Sequence, residues 1–222
     1  CAKVVVKNLG NALRNPCADR KRRISIEDVM RSERVYDPLK ALECAPKSDG
    51  VVAVLLASES RAKKLTKKPV WLAGYGCSMD HFNPGDRNLL NGHLRIAAEK
   101  AYRAAGIRDP RKRIHVAEVC EPYAFQELLW CEQLGFCNEG KGGHMIDSGM
   151  TEMDGELPVN PSGGVLATNP YPARGLYRIA EAALQVKGEA GEHQVGRKVK
   201  TALAHSTHGF GGQCHSVVIL SA

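Results

Sequence analysis

Short apolar runs of strand length alternate with segments of helical spacing along this chain. Residues 51–57 form an unbroken apolar run, and residues 70–75 and 114–119 are further strand candidates. Between these two, apolar residues recur on one helix face and Gly106 follows where a helix would end (Leu90, Leu94, Ala97, Ala98, Ala101, Ala105). The unbroken run predicts a strand buried on both faces. Strands that alternate with helices predict an α/β layered fold.

Helix signals also occur near the start of the chain. Residues 2–15 have the pattern of a helix, Ser25 is a helix cap before an acidic turn, and Pro38 after Asp37 predicts a further helix start. Later elements follow from apolar spacing: helices over about 124–134 and 172–187, closing strands over 201–206 and 214–220, and a poorly periodic, glycine-rich stretch over 135–164.

Composition limits the class of protein. The eight cysteines contain no C-x-x-C pair, which argues against a zinc ribbon or a disulfide scaffold and favours reduced thiols in the cytoplasm. No apolar run is long enough to span a bilayer, so we expect a soluble protein without a membrane partner. The net charge is +7, but aromatic residues make up only 5% and no nucleic-acid module is recognisable, so no nucleic-acid partner is expected.

Glycine-rich strings near the C-terminus carry a family resemblance. Residues 160–164 (N-P-S-G-G) and 169–175 (N-P-Y-P-A-R-G) are similar to the N-x-x-G-G and G-H-P-x-G regions of thiolases. Together these two strings form one matching region, and four more segments match in order. Residues 4–16 resemble the helix that ends in a V-K-N-H-x-N-A-like stretch, and residues 37–58 resemble the D-P-L to S-D-G-A-A-A-V segment. Residues 116–125 resemble the strand that leads into the N-E-A-F or H-D-C-F loop, and residues 205–212 resemble the C-terminal glycine loop. Five matches in the same order are not expected by chance, although each motif alone is a weak signal.

The resemblance implies a fold and a division of the chain. We expect a thiolase-like layered fold (αβαβα), of which this chain supplies mainly the C-terminal half. Residues 1–48 would end a helical loop domain, residues 49–222 would form the C-terminal thiolase-like domain, and the N-terminal half is expected upstream of Cys1. The sheet should therefore leave an apolar face that another half or chain covers.

The resemblance also implies roles for individual residues. His205 falls on the second catalytic Cys or His, the acid/base for the α-carbon. Asn169 falls on the His of G-H-P, and Cys120 on the Asn or His of the N-E-A-F loop. Tyr171, Gly163, Gly164, Gly211 and Gly212 fall in the substrate and oxyanion loops, where glycine lets backbone N–H groups approach a ligand. Asn169 cannot take up a proton, which puts ordinary thiolysis in doubt.

Each of these positions has a plainer interpretation. His205 could be a structural histidine, Cys120 a small buried apolar residue, and Asn169 the cap of the following helix. Tyr171 and Tyr123 could be packing aromatics. A zinc set of His205, His208, Cys214 and His215 is conceivable but lacks the usual spacing, so no metal is expected in this chain. The basic clusters at 20–23 and 63–68 could contact coenzyme A or be solvated.

The function that the resemblance implies is acyl transfer: CoA-dependent retro-Claisen cleavage, or Claisen condensation, of a 3-oxoacyl-CoA, with coenzyme A as substrate or product. The alternatives are a retro-aldolase on a bulky acyl-CoA and a non-catalytic scaffold subunit. The chain resembles most the subgroup of sterol-carrier-type and archaeal-type thiolases, whose members commonly work with a small subunit built from a zinc ribbon and an OB fold. Thiolase-like proteins also pair across a two-fold axis, so the resemblance implies a homodimer and this small subunit as partners.

Overall fold

The centre of the fold is a mixed sheet of four strands with helices on both faces. The computed structural model describes residues 1–87 and 92–222. The sheet strands are β3 (Trp71–Met79), β4 (Val116–Glu118), β5 (Thr201–His208) and β6 (Cys214–Ser221), and two short strands, β1 (Arg34–Tyr36) and β2 (Leu39–Lys40), pair separately. The order across the sheet is β3-β6-β5-β4, with β4 parallel to β5 and the other neighbours antiparallel.

Two helices precede the first strand, and the other helices lie in the connections between the strands. The helices are α1 (Ala2–Ala12), α2 (Ile26–Arg31), α3 (Glu59–Leu65), α4 (His93–Ala104), α5 (Pro110–Arg113), α6 (Ala124–Gln133), α7 (Gly142–Asp147), α8 (Gly164–Ala167) and α9 (Arg174–Lys187). The predicted cap of α2 is confirmed, because Ser25 Oγ accepts from the N–H of Asp28, whose carboxylate accepts from the N–H of Ser25. No helix in the described residues is long and apolar enough to cross a membrane.

Alternation along β5 and β6 divides the apolar core between the two sheet faces. Leu203, Val217 and Ile219 pack in one cluster with the apolar stripe of α4 and with Trp130 of α6. Neighbouring positions such as Ala204 point to the other face, where they pack with α9. The predicted α/β layering is therefore confirmed.

Glycines let α4 lie directly on β3. A Cβ atom on Gly76 would be 1.9 Å from the carbonyl oxygen of Ala97, and one on Gly74 would be 2.3 Å from that of Ala101. Real atoms do not approach so closely, so the helix position depends on these two glycines. Since α4 begins at His93, this contact also sets the start of the helix against the end of β3.

A network of buried charges ties α1 to α6 and to the loops that contain Glu121 and Val159. Lys7 Nζ lies 2.8 Å from Glu127 Oε1 and donates to the carbonyl oxygen of Val159 at 2.6 Å. Asn8 Nδ2 donates to Glu127 Oε2 at 2.8 Å and to Glu121 Oε1 at 3.2 Å. Burial, followed by the charge of Glu127, raises the pKa of Glu121 to about 8, so this carboxyl is largely protonated at neutral pH.

A second part of the network ties β4 to α9. Glu118 Oε2 accepts from Arg178 at 2.5 Å and from Ser162 Oγ at 2.7 Å. On the same helix, Glu181 accepts from His193 Nε2 at 2.8 Å. Burial lowers the pKa of His193, but the hydrogen bond and charge of Glu181 outweigh it and raise that pKa above 6.5.

Two sequence predictions are wrong. Residues 51–57 do not form a buried strand: the segment has no helix or strand assignment, makes no strand pairing in the described residues, and leaves Val51 92% and Leu55 86% exposed. An apolar run indicates that the side chains favour burial, but it does not indicate whether the segment forms a strand or what it packs against. Pro38 does not begin a helix but lies in the turn between β1 and β2, because proline at a fixed φ suits turns as well as helix starts.

Several other predicted segments need smaller adjustments. Helices predicted over 2–15 and 172–187 begin or end a few residues inside those bounds, whereas β3, β5 and β6 are longer than predicted. The stretch over 135–164 contains the short helix α7. Leu90, placed in the helical stripe, lies outside the described residues.

Replacing Arg178 with Met should destabilise the fold strongly. The change leaves the fully buried Glu118 without its cation, and breaking such a pair costs about 3–5 kcal/mol. Urea unfolding measures the free energy. Lys63→Met is the matched control, because Lys63 and Glu59 form an exposed pair on α3 and should contribute little. Equal, small losses in both variants would contradict the structural role of the network.

The pair of His193 and Glu181 should make stability depend on pH. A histidine whose pKa is raised above 6.5 in the folded state stabilises the fold fully below 6.5, and this contribution is lost as the pH rises through the raised value. The free energy of unfolding, measured from about pH 5 to 9, should fall with pH more steeply in the native chain than in His193→Gln. A steeper fall in the variant would contradict the assignment.

Candidate active site

His205 lies at the centre of a buried polar group on β5. Only 1% of the residue is exposed, and its ring contacts the edge of Trp130, with ring centroids 5.5 Å apart. Nδ1 lies 3.4 Å from the backbone nitrogen of Cys120, and Nε2 lies 3.1 Å from Nδ1 of His215 on β6. The predicted position is thus engaged at both ring nitrogens.

The hydrogen-bond network fixes the tautomers of the two histidines. A backbone N–H can only donate, so Nδ1 of His205 accepts from Cys120 and the ring proton is on Nε2. Nε2–H then donates to Nδ1 of His215, which leaves the proton of His215 on its own Nε2. His215 therefore presents an N–H donor on the side of its ring away from His205.

Both rings are neutral at physiological pH. Burial, followed by His215 and the charge of Arg174, holds the pKa of His205 well below 6.5. Burial, followed by the neighbouring His93, lowers the pKa of His215 to about 4. A neutral ring with such a low pKa is a weak base but an effective hydrogen-bond donor.

His215 forms part of the wall of a cavity of about 440 Å³. The cavity lies between the glycine loop, the start of α4 and the first turns of α6. Gly211 and Gly212 of the predicted oxyanion loop line it, and their φ angles of +60° and +74° are ones that glycine adopts without strain. Tyr123, Phe125 and Trp130 supply an apolar wall.

Two polar atoms at this cavity lack partners. Arg174 Nε and Thr207 Oγ1 are buried and make no hydrogen bond within the described residues, and both side chains line the cavity. The other end of the Arg174 guanidinium donates to the carbonyl oxygen of Thr207 at 3.0 Å. Buried polar groups are normally paired, so a bound molecule with an acceptor atom fits here.

The glycines of the N-x-x-G-G string occupy a different environment. The N–H of Gly163 donates to the carbonyl oxygen of Asn160, and the N–H of Gly164 to Ser162 Oγ. A Cβ on Gly164, whose φ is +67°, would be 2.0 Å from Glu121 Oε1. The structure gives these glycines a packing role, and their contact with a ligand stays a prediction.

Asn169 anchors a neighbouring segment. Its Nδ2 donates to the carbonyl oxygen of Pro46 at 2.9 Å and its backbone N–H to Ser48 Oγ at 3.1 Å. The interpretation of Asn169 as a helix cap is wrong, because α9 begins at Arg174 with Ala173 at the N-cap position. Tyr171 is exposed, and the Arg174 guanidinium lies 5.2 Å from its ring centroid.

Cys120 contributes through its backbone. Its N–H reaches His205, and its carbonyl oxygen accepts from Trp130 Nε1 at 2.9 Å. Burial raises the pKa of the thiol, which is therefore protonated at neutral pH. A buried, protonated thiol fits the interpretation of Cys120 as a small buried residue better than a role in polarising a substrate carbonyl.

The remaining candidate residues do not line the cavity. His208 pairs with Cys214 across the strands while Thr207 pairs with His215, so alternation places His208 and Cys214 on the sheet face opposite His205 and His215. That division rules out one four-residue zinc site. In the basic clusters, Arg20 donates to the carbonyl oxygen of Cys44 and Lys63 pairs with Glu59.

Sequence reasoning missed four polar residues at or beside the cavity. The sequence patterns name His215 only as part of the conceivable zinc set, and they do not single out Ser78, Asp80 or His93. Strand alternation gives a partial signal for His215, since it has the same face as Val217 and Ile219. Ser78, Asp80 and His93 come together only because α4 packs back onto β3.

Comparison with known proteins identifies relatives. The sequence model of a family described as "Thiolase C-terminal domain-like" matches residues 76–222. Acetyl-CoA acetyltransferase of Methanothermobacter thermautotrophicus is 36% identical over 217 residues, which are 95% of this chain and 55% of the relative. Human sterol carrier protein 2 is 35% identical over 219 residues (95% and 39%), and "Benzoylsuccinyl-CoA thiolase subunit BbsB" of Thauera aromatica is 32% identical over 218 residues (97% and 55%). The chain spans about half the length of these relatives, or less.

Solved structures of thiolase-related proteins are also similar to this chain. "Ltp2-ChsH2(DUF35) aldolase" superposes with a TM-score of 0.85 at 28% identity, covering 100% of this chain and 57% of the other. Human mitochondrial 3-ketoacyl-CoA thiolase has a TM-score of 0.70 at 18% identity, covering 100% and 55%, which supports the fold alone.

The histidine pair should remain neutral over an unusually wide pH range. Nitrogen-15 NMR of the ring signals should show His215 protonated only at Nε2 from pH 8 down to about 5, because its pKa is lowered to about 4. His208, which is exposed, serves as an internal reference. A titration midpoint of His215 near 6.5 would contradict the buried arrangement.

Proposed function

This chain belongs to the thiolase C-terminal domain-like family, and from that membership we propose that it is the C-terminal half of an enzyme acting on acyl-CoA thioesters. In this proposal residues 1–48 end a loop domain and residues 49–222 form the C-terminal domain. The reaction is the making or breaking of a carbon–carbon bond next to the thioester carbonyl. Retro-Claisen cleavage of a 3-oxoacyl-CoA is the first candidate.

The observation that carries this proposal is the Nε2–H of His215 at the cavity wall. When the bond to the α-carbon breaks, its electrons pass to the thioester carbonyl, whose oxygen becomes an enolate oxyanion. A fixed donor aimed at that oxygen stabilises the transition state more than the ground state. Gly211, on the same cavity, offers a further backbone N–H group, whereas the N–H of Gly212 donates to the carbonyl oxygen of Gly209.

His205 is then a positioning residue. It was predicted as the base for the α-carbon, but its low pKa and its two hydrogen bonds favour a role in holding the His215 tautomer. Cys120 supports this role through its N–H. For Asn169 we propose that it holds residues 46–48 near the site, and for Tyr171 that it stacks beside Arg174.

Coenzyme A fits the polar atoms that lack partners. Arg174 Nε and Thr207 Oγ1 would bind acceptor oxygens of the pantetheine or acyl part, while the aromatic wall would contact the acyl chain. Removal of these two atoms from water without a partner is unfavourable, so a ligand that pairs them gains affinity.

Retro-aldol cleavage of a bulky 3-hydroxyacyl-CoA is the second candidate. It is favoured by the likeness to the structure named an aldolase, at 28% identity over the whole chain. Both reactions pass through the same enolate, so the His215 donor serves either. They differ in the need for free coenzyme A, which only the thiolase reaction consumes.

We also propose that the chain works in an assembly. Its support is the pair of proteins in the name of the aldolase structure, the word "subunit" in the name of BbsB, and the exposed apolar segment 51–57. An upstream half, a second copy or a small zinc-ribbon OB-fold subunit would bury such surface. The eight free cysteines suit the reducing cytoplasm.

Replacing His215 with Phe should lower kcat for carbon–carbon cleavage by about 10²- to 10³-fold, because one oxyanion donor is lost while the ring volume is kept. Single-turnover assays of the full-length protein with 3-oxoacyl-CoA and 3-hydroxyacyl-CoA substrates measure this, with and without free coenzyme A. His208→Phe, on the opposite sheet face, should retain native rates. Native rates from His215→Phe would contradict the donor role of His215, whereas no cleavage by the native protein would support the scaffold alternative.

A further inference from the structure

A second polar cluster, which the proposed carbon–carbon chemistry does not use, lies beside the same cavity. Ser78 Oγ is 3.0 Å from Nδ1 of His93, and Nε2 of His93 is 3.2 Å from Asp80 Oδ1. Asp80 and His93 both line the cavity, together with His215. The imidazole of His93 thus links the hydroxyl of Ser78 to the carboxylate of Asp80.

The fold explains why these residues meet. Ser78 pairs with His215 across β3 and β6, so the two side chains lie side by side on the sheet face that α4 covers. Asp80 follows the last residue of β3, and His93 is the first residue of α4. The close contact of α4 with Gly74 and Gly76 brings the start of the helix onto the end of the strand.

The bonding directions are determined by the partners. Asp80 accepts, so the ring proton of His93 is on Nε2, and Nδ1 is left to accept from the Ser78 hydroxyl. This is the arrangement of nucleophile, base and orienting carboxylate, with the two ring nitrogens exchanged relative to the serine protease order. Side-chain exposures of 27% for His93 and 12% for Asp80 leave the base within reach of the cavity.

We propose that Ser78, His93 and Asp80 form a triad that transfers the acyl group of a thioester to water through an acyl-serine. Ser78 Oγ attacks the carbonyl carbon while its proton moves to Nδ1 of His93, whose positive charge Asp80 stabilises. The carbon–sulfur bond breaks and the thiolate leaves with that proton. A water molecule, deprotonated by His93, then cleaves the ester, so that thioester and water yield a carboxylic acid and a thiol.

The surroundings suit this reaction. His215 sits beside Ser78 and carries an Nε2–H that can bind the oxyanion of the tetrahedral intermediate. The aromatic side chains Tyr123, Phe125 and Trp130 can receive an acyl or aryl chain. The ligand class is therefore a thioester, or an activated ester, with an apolar acyl group, and no free coenzyme A is needed.

The test uses the full-length protein with any natural partner subunit. Hydrolysis of acetyl-CoA, benzoyl-CoA and p-nitrophenyl acetate is followed without free coenzyme A, and a fluorophosphonate probe is mapped by peptide mass spectrometry. We expect the probe on Ser78, a loss in kcat of roughly 10²- to 10⁴-fold in Ser78→Ala and Asp80→Asn, and partial rescue of His93→Ala by imidazole in solution. Ser216→Ala, on the neighbouring strand but the opposite face, is the control and should label and hydrolyse normally.

Labelling of the native protein keeps the test valid if a variant fails to fold. No probe on Ser78, or hydrolysis that persists in Ser78→Ala, would overturn the proposal. The hydrolytic assay does not depend on carbon–carbon cleavage. Loss of the one activity and retention of the other therefore distinguish the failure of this inference from the failure of the proposed function.

Discussion

The buried ion pair between Glu118 and Arg178 is the interaction on which the site geometry depends. Taking two charges out of water is unfavourable, so the pair depends on further hydrogen bonds to its polar atoms, which limits the possible arrangements. Ser162 donates two of those hydrogen bonds to Glu118. The pair thereby fixes β4 against α9 and against the loop that carries the N-x-x-G-G string.

That constraint extends from β4 to the cavity. Two residues beyond Glu118, the backbone of Cys120 donates to His205, and His205 in turn donates to His215. A shift of β4 would move the Cys120 N–H and change the tautomer that reaches the cavity. The charges of the network thus support a neutral pair of histidines, and the chemistry that we propose depends on that neutrality.

How much the sequence could predict differs between elements and site. Helix α4 and strands β3, β5 and β6 follow from spacing, because each has one apolar face that contacts a neighbour within the chain. Residues 51–57 were mispredicted because, Val52 apart, these apolar residues are exposed rather than packed on a neighbouring element. At the site, glycine strings located the loop with Gly211 and Gly212, yet they could not reveal that His215 covers His205.

The Ser78 cluster illustrates the remaining limit. Ser78 and His93 are 15 positions apart, and no spacing rule connects a strand residue with the first residue of a later helix. Their contact depends on the depth to which α4 packs onto β3, which Gly74 and Gly76 set. A glycine within a strand can have many causes, so the role of Gly74 and Gly76 in helix packing is apparent only from the three-dimensional structure.

A structure of the full-length protein with a non-cleavable acyl-CoA analogue, in which a methylene group replaces the thioester sulfur, tests the central claim most directly. The account predicts that the analogue occupies the cavity beside Trp130 and that its carbonyl oxygen lies within about 3.2 Å of Nε2 of His215. An analogue bound in another cavity, or with its carbonyl directed away from His215, would contradict the assignment of this cavity as the acyl site.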